Sequence, residues 1–310
     1  MSFKLMFHAA LAGLALAASV GLGHAQHQGA GAGGPPDWQR TVASTLGKPG
    51  TQQDGGVYRV ALPRTDLKVT VDGVEIRPGL ALGSWLAFHP HGQELMVMGD
   101  LVLLQREIAP VMRRLTEGGI EVTALHNHLL RAEPTTMYLH VAGQGDPARL
   151  ATALRAALQE TATPLQGAAA SAGDDRIEGL DTATIARALG REGRASGGVY
   201  QVNVPRAERI TERGMEVPTA MGMPTVINFQ AAGGGRAATT GDFVLTANEV
   251  VPVQRALVEH GIEVTALHNH MLHEEPRLFF MHFWGVDDAE KLARGLRAAL
   301  ERTNSAQASR

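Results

Sequence analysis

The chain has 310 residues, 44% of them hydrophobic and 19% charged, and a formal net charge of -3. Such a composition is globular and long enough for about two ordinary domains, and it excludes a nucleic-acid-binding surface built on a basic patch. There is no cysteine, which excludes disulfides, iron–sulfur clusters, thiolate metal sites, a cysteine nucleophile and lipid attachment through a thiol.

Residues 1–25 read as a signal peptide. Lys4 supplies the positive start, and Leu5 to Leu22 is an apolar run interrupted only by small residues and His8. Gly23-His24-Ala25 carries small residues where a signal peptidase reads them, so cleavage after Ala25 is expected. The mature protein is then expected in a periplasm or secreted, without stable membrane insertion. No later segment is apolar enough to span a bilayer. Residues 26–36 form a Gly/Pro-rich leader.

The rest of the chain is a duplication. Val57-Tyr58 aligns with Val199-Tyr200 at an offset of 142, and the offset runs without a gap to Thr161 against Thr303. Gly119 to Pro134 (GIEVTALHNHLLRAEP) and Gly261 to Pro276 (GIEVTALHNHMLHEEP) differ at three of sixteen positions. The organisation is repeat module 1 at 37–162, a linker at 163–177, repeat module 2 at 178–304 and a frayed tail at 305–310. On this offset Trp85 corresponds to Ile227, Asp72-Gly73 to Gly214-Met215, and His89 and His91 to Ala231 and Gly233.

Within each module the predicted elements run as follows. A short helix (38–46; 183–189) stops at Gly47 or Gly190. A strand follows at 57–62 and 199–204. Residues 66–98 read as further strands with turns at Asp72-Gly73 and Pro78-Gly79. Then come a strand at 100–104, a helix at 107–117 ended by Gly118-Gly119, and a hairpin-like pair at 120–130 and 136–142. The last helix opens at Asp146-Pro147, with Asp287 and Glu290 as a capping-box-like start in the second copy. The fold class is α+β: two tandem repeats of a ferredoxin-like module, an antiparallel sheet with helices on one face.

The chemistry concentrates in the repeated Ala-Leu-His-Asn-His. Side chains alternate along a strand, so His126 and His128 share one face. If residue 130 faces 136, His126 lies opposite His140; a two-residue slip sets His128 there instead. Facing residues sit about 4.5–5.5 Å apart, close enough for imidazoles to converge on one ion. Glu133 in the turn is placed to add a carboxylate. His268, His270, His282 and Glu275 repeat the set. His89 and His91 form an extra His-Pro-His loop pair that adds ligands to the first module only, or else is a surface loop. The donor types allow zinc, copper, nickel or iron(II); nothing points to a nucleotide, flavin or haem. The competing interpretation is structural: buried neutral imidazoles bonded to Asn127 or a backbone carbonyl. Asp100/Asp242 and Glu107/Glu249 also match between copies, and acids at a strand start or a first helical turn ordinarily serve turns and the helix dipole. Met96/Met98 and Met221/Met223 are read as packing.

The tandem GIEVTALHNH segments, the Glu-Pro turns and the MHFWG strand resemble the LppY/LpqO family of exported bacterial proteins, which carry a domain of unknown function. The resemblance covers both modules. It implies export and a tandem architecture and brings no assigned activity. Two functions stay open: a metal-binding protein with one histidine site per module, with hydrolysis as its enzymatic extension, and a non-metal interaction or small-molecule-binding module.

Overall fold

The computed structural model describes residues 36–166 and 177–306. The expected signal peptide, nearly all of the leader, most of the linker and the last four residues of the tail lie outside the described residues. The described chain belongs to one compact unit that begins at Pro36.

The first half contains α1 (Asp37–Leu46), β1 (Thr51–Gln52), β2 (Tyr58–Pro63), β3 (Val69–Val71), β4 (Val74–Ile76), α2 (Pro78–Ala81), β5 (Gly83–His91), β6 (Glu94–Leu104), α3 (Gln105–Glu117), β7 (Glu121–His126), β8 (Thr136–Gly145) and α4 (Pro147–Leu158). The second half repeats the plan with α5 (Thr182–Leu189), β9 (Arg194–Ser196), β10 (Val199–Val204), β11 (Thr211–Glu212), β12 (Met215–Glu216), β13 (Thr225–Gly233), β14 (Arg236–Thr246), α6 (Ala247–Glu259), β15 (Glu263–His268), β16 (Glu274–Glu275), β17 (Leu278–Asp288) and α7 (Ala289–Leu300).

Each half builds a six-stranded antiparallel sheet, in the orders β1-β2-β5-β6-β8-β7 and β9-β10-β13-β14-β17-β15. The α+β class and the antiparallel sheets match the sequence expectation. The ferredoxin-like detail is met only in part. The strand–helix–strand–strand–helix run from β6 to α4 is present, but the place beside β6 belongs to β5, which precedes it, and not to a strand following α4.

Each sheet is covered on both faces. Helices α1, α3 and α4 bury Val42, Leu46, Val111, Leu115 and Leu154 against Val60, Leu86, Val97 and Leu139, and α5, α6 and α7 do the same in the second half. The other two faces meet each other through two mixed cores. One joins Val57, Met96 and Met98 to Met221, Met223, Val244 and Phe280. The other joins Val69, Val102, Leu129 and Tyr138 to Val199, Ala238 and Trp284. The four methionines of interest therefore pack in one core. Two-sided burial explains why β6 is buried from Leu95 to Leu104 instead of alternating.

Several boundaries and one alignment change. The strand placed at 100–104 begins at Glu94, and the strand placed at 120–130 ends at His126. Helix α7 takes Asp288, not Asp287, as its N-cap; the carboxylate accepts from the Lys291 amide at 2.9 Å. The 142-residue offset is not gapless. The Asp72-Gly73 turn (φ 51° and 80°) has its counterpart in Arg213-Gly214 (φ 52° and 78°). Ser84 and Thr225 both accept from strand amides, those of Val102 and Val244. The offset is thus 141 from this turn through β5, and it returns to 142 at the β13–β14 hairpin, where register shifts between Ala231 and Gly233. Loops absorb single-residue changes, whereas a one-residue slip inside a paired strand would reverse every side chain. The counterparts are therefore Trp85 with Val226 and His89 with Gln230, while His91 keeps Gly233, because Ala232 is the extra residue at the shift.

Arg64 and Arg206 lock each half. Arg64 has no exposed side-chain surface. It donates to the Val102 carbonyl at 2.7 Å, to both oxygens of Glu107 and to both of Asp66. Glu107 also accepts from the Leu104 amide at 2.9 Å, capping α3. Arg206, Glu249 and Glu208 repeat the arrangement. Glu107 and Glu249 are thus helix caps and ion-pair partners, as the first-turn position implies.

Candidate metal centre

Strand pairing fixes the first part of the site. On the inner face, His140 of β8 lies between Asp100 of β6 and Ala124 of β7, and His282 lies between Asp242 and Ala266. His126 faces Tyr138, and His268 faces Phe280. Neither register considered from the sequence occurs: His140 lies opposite Ala124, two residues before His126 and four before His128. A β-bulge between Val122 and Ala124 also resets the face. Val122 packs with the helices, while Ala124 and His126 point inward.

His128 and His270 lie beyond the strand ends, in the long connections to β8 and β17. Those connections are clasped to the opposite half. Asn127 donates to the Thr265 carbonyl at 3.0 Å, and Asn269 donates to the Thr123 carbonyl at 3.0 Å. Thr265 donates in turn to the His128 carbonyl and Thr123 to the His270 carbonyl, both at 2.6 Å. The asparagine of His-Asn-His is therefore a cross-module clasp and not a partner for its neighbouring rings.

The clasps carry all six histidines into one cluster. His126 stacks on His268 with ring centroids 3.6 Å apart. His128 lies 3.6 Å from His282, and His140 lies 3.7 Å from His270. Tyr138 and Phe280 back His128 and His270 at 3.4 Å. Asp100 Oδ2 is 3.6 Å from His128 Nε2, and Asp242 Oδ2 is 3.2 Å from His270 Nε2. Among the described residues, ligand atoms within 4.8 Å of one another occur in three sets: His126, His128 and His282; His126, His140 and His268; and Asp242, His268 and His270. The first two draw on both halves. The expected one site per module is thus replaced by a single shared cluster.

Two histidines of the cluster are oriented by the backbone. His140 Nδ1 is 3.3 Å from the Gly99 carbonyl, and His282 Nδ1 is 2.7 Å from the Gly241 carbonyl. A carbonyl accepting from Nδ1–H leaves Nε2 as the lone-pair donor, the usual arrangement behind a metal-bound imidazole. Twelve buried side-chain nitrogen or oxygen atoms have no hydrogen-bond partner among the described residues, and only Thr136 Oγ1 and Arg155 Nε lie outside this cluster. The other ten are both ring nitrogens of His126 and His268, Nε2 of the remaining four histidines, and one oxygen of each aspartate. Buried polar atoms ordinarily find partners, because desolvation without one costs about 1–3 kcal/mol each.

Burial, with the neighbouring imidazoles adding to it, pushes His126, His128, His140, His268 and His270 well below the usual histidine range. Neutral imidazole is the form that ligates. Burial pushes Asp100 up to about 8, with the Asp242 charge adding to the shift and Arg59 opposing it. Burial also pushes Asp242 up to about 6, with His282 opposing.

The carboxylates of the cluster are not those the sequence nominated. Glu133 and Glu275 have exposed side chains and use their backbones to pair with Thr70 and Thr211. His89 is half-buried near the end of β5, and His91 is exposed; neither joins a ligand set. Asp100 and Asp242 were visible as a matched Gly-Asp pair, but reading that pair as a strand start hid their place in the middle of an inward-facing strand.

The centre opens to a cavity of about 490 Å³, whose lining includes His128, His140, His270, His282 and both aspartates. No helix among the described residues is long and apolar enough to cross a membrane.

No curated protein matches the chain significantly. Among solved structures it is similar to the trimeric bacterial microcompartment shell protein PduB, with 14% identity, 82% of this chain and 89% of that chain covered, and a TM-score of 0.24. It is also similar to EtuB from Clostridium kluyveri, with 8% identity, coverage of 81% and 88%, and a TM-score of 0.19. The family described as "Domain of Unknown Function (DUF1259)" matches residues 40–160 and again residues 183–302. The chain, whose two halves meet in one histidine cluster, belongs to that family as a tandem pair of its domains.

Proposed function

We propose that this is an exported protein that binds a divalent transition metal in a single centre shared by its two modules. The observation that carries the proposal is the set of eight buried, unpartnered ring nitrogens on six histidines. A structural network would use those atoms among themselves; a ligand set leaves them for an ion. The pseudo-two-fold relation divides the donors into two equal groups, His126, His128, His282 and Asp100 against His268, His270, His140 and Asp242. That division gives a capacity of up to two ions per chain. With nitrogen and oxygen donors and no thiolate, zinc, copper, nickel and iron(II) all suit the site. Export rests on the N-terminal segment, and the GIEVTALHNH segments keep the resemblance to the LppY/LpqO proteins within the same proposal.

Elemental analysis of the full chain purified from the cell envelope tests it. The expected result is one to two equivalents of metal in the wild type and less than one tenth of that in a His126→Ala/His128→Ala variant. Wild-type protein without stoichiometric metal after growth in several media would sink the proposal. A second possibility, metal-dependent hydrolysis, is favoured by the cavity that reaches the centre. It predicts turnover of model esters or phosphoesters that the same double substitution abolishes.

A further inference from the structure

The two halves match closely at the centre and diverge just above it. Asp100 and Asp242 are the same residue, as are the three pairs of histidines. The equivalent positions lining the cavity are not. Arg59 corresponds to Gln201 and Trp85 to Val226, and Asn228 lines the cavity where its counterpart Ala87 is buried in the core, as the parallel registers of β2–β5–β6 and β10–β13–β14 require. The first-module wall is a cation on an indole. The second-module wall is a set of neutral amides, with Gln201 donating to Asn228 at 3.0 Å and Asn228 donating to the Leu80 carbonyl at 2.8 Å. A near-symmetric floor under asymmetric walls suits a ligand with two unlike ends.

Arg59 is held in place. Its Cζ sits 4.0 Å over the Trp85 ring, and Nη1 donates to the Ala220 carbonyl at 3.1 Å. Gly222 (φ 88°) lets the backbone close on that indole, since a Cβ there would lie 2.8 Å from it. No carboxylate among the described residues forms an ion pair with Arg59, and Asp54 stands exposed at the rim. Burial lowers Arg59 only to about 10, so it stays cationic at neutral pH. A planar guanidinium fixed by stacking, with N–H groups to spare, matches the two-oxygen edge of a carboxylate or phosphate.

We infer that the cavity binds a small organic molecule bearing an oxyanion, with Arg59 gripping the oxyanion while the other end of the molecule meets the histidine centre. The inference rests on the metal-binding proposal for that second contact, but the grip by Arg59 does not. Gln stands at the equivalent position 201, so Arg59→Gln is a change this fold accommodates.

The test is calorimetric titration of the full chain with succinate and, separately, with inorganic phosphate, on zinc-loaded and on EDTA-treated protein. Saturable binding of at least one probe is expected, tighter in the loaded protein. Arg59→Gln is expected to weaken it at least tenfold while bound zinc, measured by elemental analysis, stays unchanged. Arg59→Lys keeps the charge without the planar fork and is expected to fall between the two. The stronger probe identifies the oxyanion. Failure of both probes to saturate the wild type, or equal binding by Arg59→Gln, would overturn the inference. If the protein takes up neither zinc nor copper, nickel or iron(II), the metal proposal fails, and the titrations of the same EDTA-treated protein still decide the role of Arg59.

Discussion

At the scale of single residues the molecule contains two kinds of buried polar group. Arg64 is saturated: its donors meet a carbonyl and two carboxylates. Removing one partner of such a pair leaves the other buried and uncompensated, a loss of about 3–5 kcal/mol. Arg64→Ala is accordingly expected to lower the chemical-denaturation stability by that order, and a loss below about 1 kcal/mol would show that the pair is dispensable. His126 is the opposite case, since neither of its ring nitrogens has a partner. An apolar replacement removes an unpaid desolvation cost of about 1–3 kcal/mol. His126→Leu is therefore expected to leave the metal-free protein as stable as the wild type or more so, while reducing metal uptake severalfold. A destabilised metal-free variant would return His126 to a structural role. Conflict between stability and occupancy is what a binding site produces and a packing network does not.

At the scale of elements, the centre depends on where strands stop and how closely they approach. Gly99 and Gly241 sit mid-strand with ordinary backbone angles, so turn geometry does not explain them. A Cβ at Gly241 would run into the Val226 carbonyl oxygen, and one at Gly99 would lie 2.7 Å from the Trp85 carbonyl oxygen. Those same glycines supply the carbonyls that orient His282 and His140. Gly241→Ala should thus cost about 1–3 kcal/mol of stability through overpacking and weaken metal binding by turning His282. Unchanged thermal unfolding together with unchanged metal affinity would refute that coupling. The sequence made part of this legible. Period-two spacing correctly set His126 and His140 on one face. It could not show the bulge at Val122/Ala124 or the end of β7 at His126, because both come from the way the connection to β8 is tied to Thr70 and clasped by Thr265. Asp100 stood out as a matched acid but reads as a strand-start residue for a related reason. Gly-Asp reads as a turn until the strand around it is known to be buried on both faces.

At the scale of the whole molecule, face-to-face packing turns two weak sites into one. Residues close in sequence fix each sheet, but contacts such as Asn127 to Thr265 span more than a hundred residues, so no local pattern announces them. The merged cluster makes stability depend on pH, with a sign that can be worked out for the metal-free protein. Five imidazoles are held neutral in the fold at pH values where they protonate, near 6.5, in the unfolded chain. Their contribution is present above about 6.5 and is lost as pH falls below it. The aspartates oppose this. Asp242, pushed up to about 6, and Asp100, pushed up to about 8, hold protons that the unfolded chain releases near 4, so their contribution declines as pH rises from about 4 towards those values. Between about pH 4 and 6 the unfolded state therefore binds more protons by as many as five minus two, a slope of at most about 4 kcal/mol per pH unit. Above 6.5 only the shallow Asp100 effect remains, with the opposite sign. Thermal unfolding of chelator-treated protein is expected to show Tm falling steeply from pH 7 to 5 and drifting down slightly from pH 7 to 8. Bound metal should flatten the upper part of the acid limb, because ligation holds the imidazoles deprotonated until protons displace the ion. A Tm of the metal-free protein that is level from pH 7 to 5 would mean that these histidines gain protons inside the fold, and the neutral ligand set would have to be abandoned.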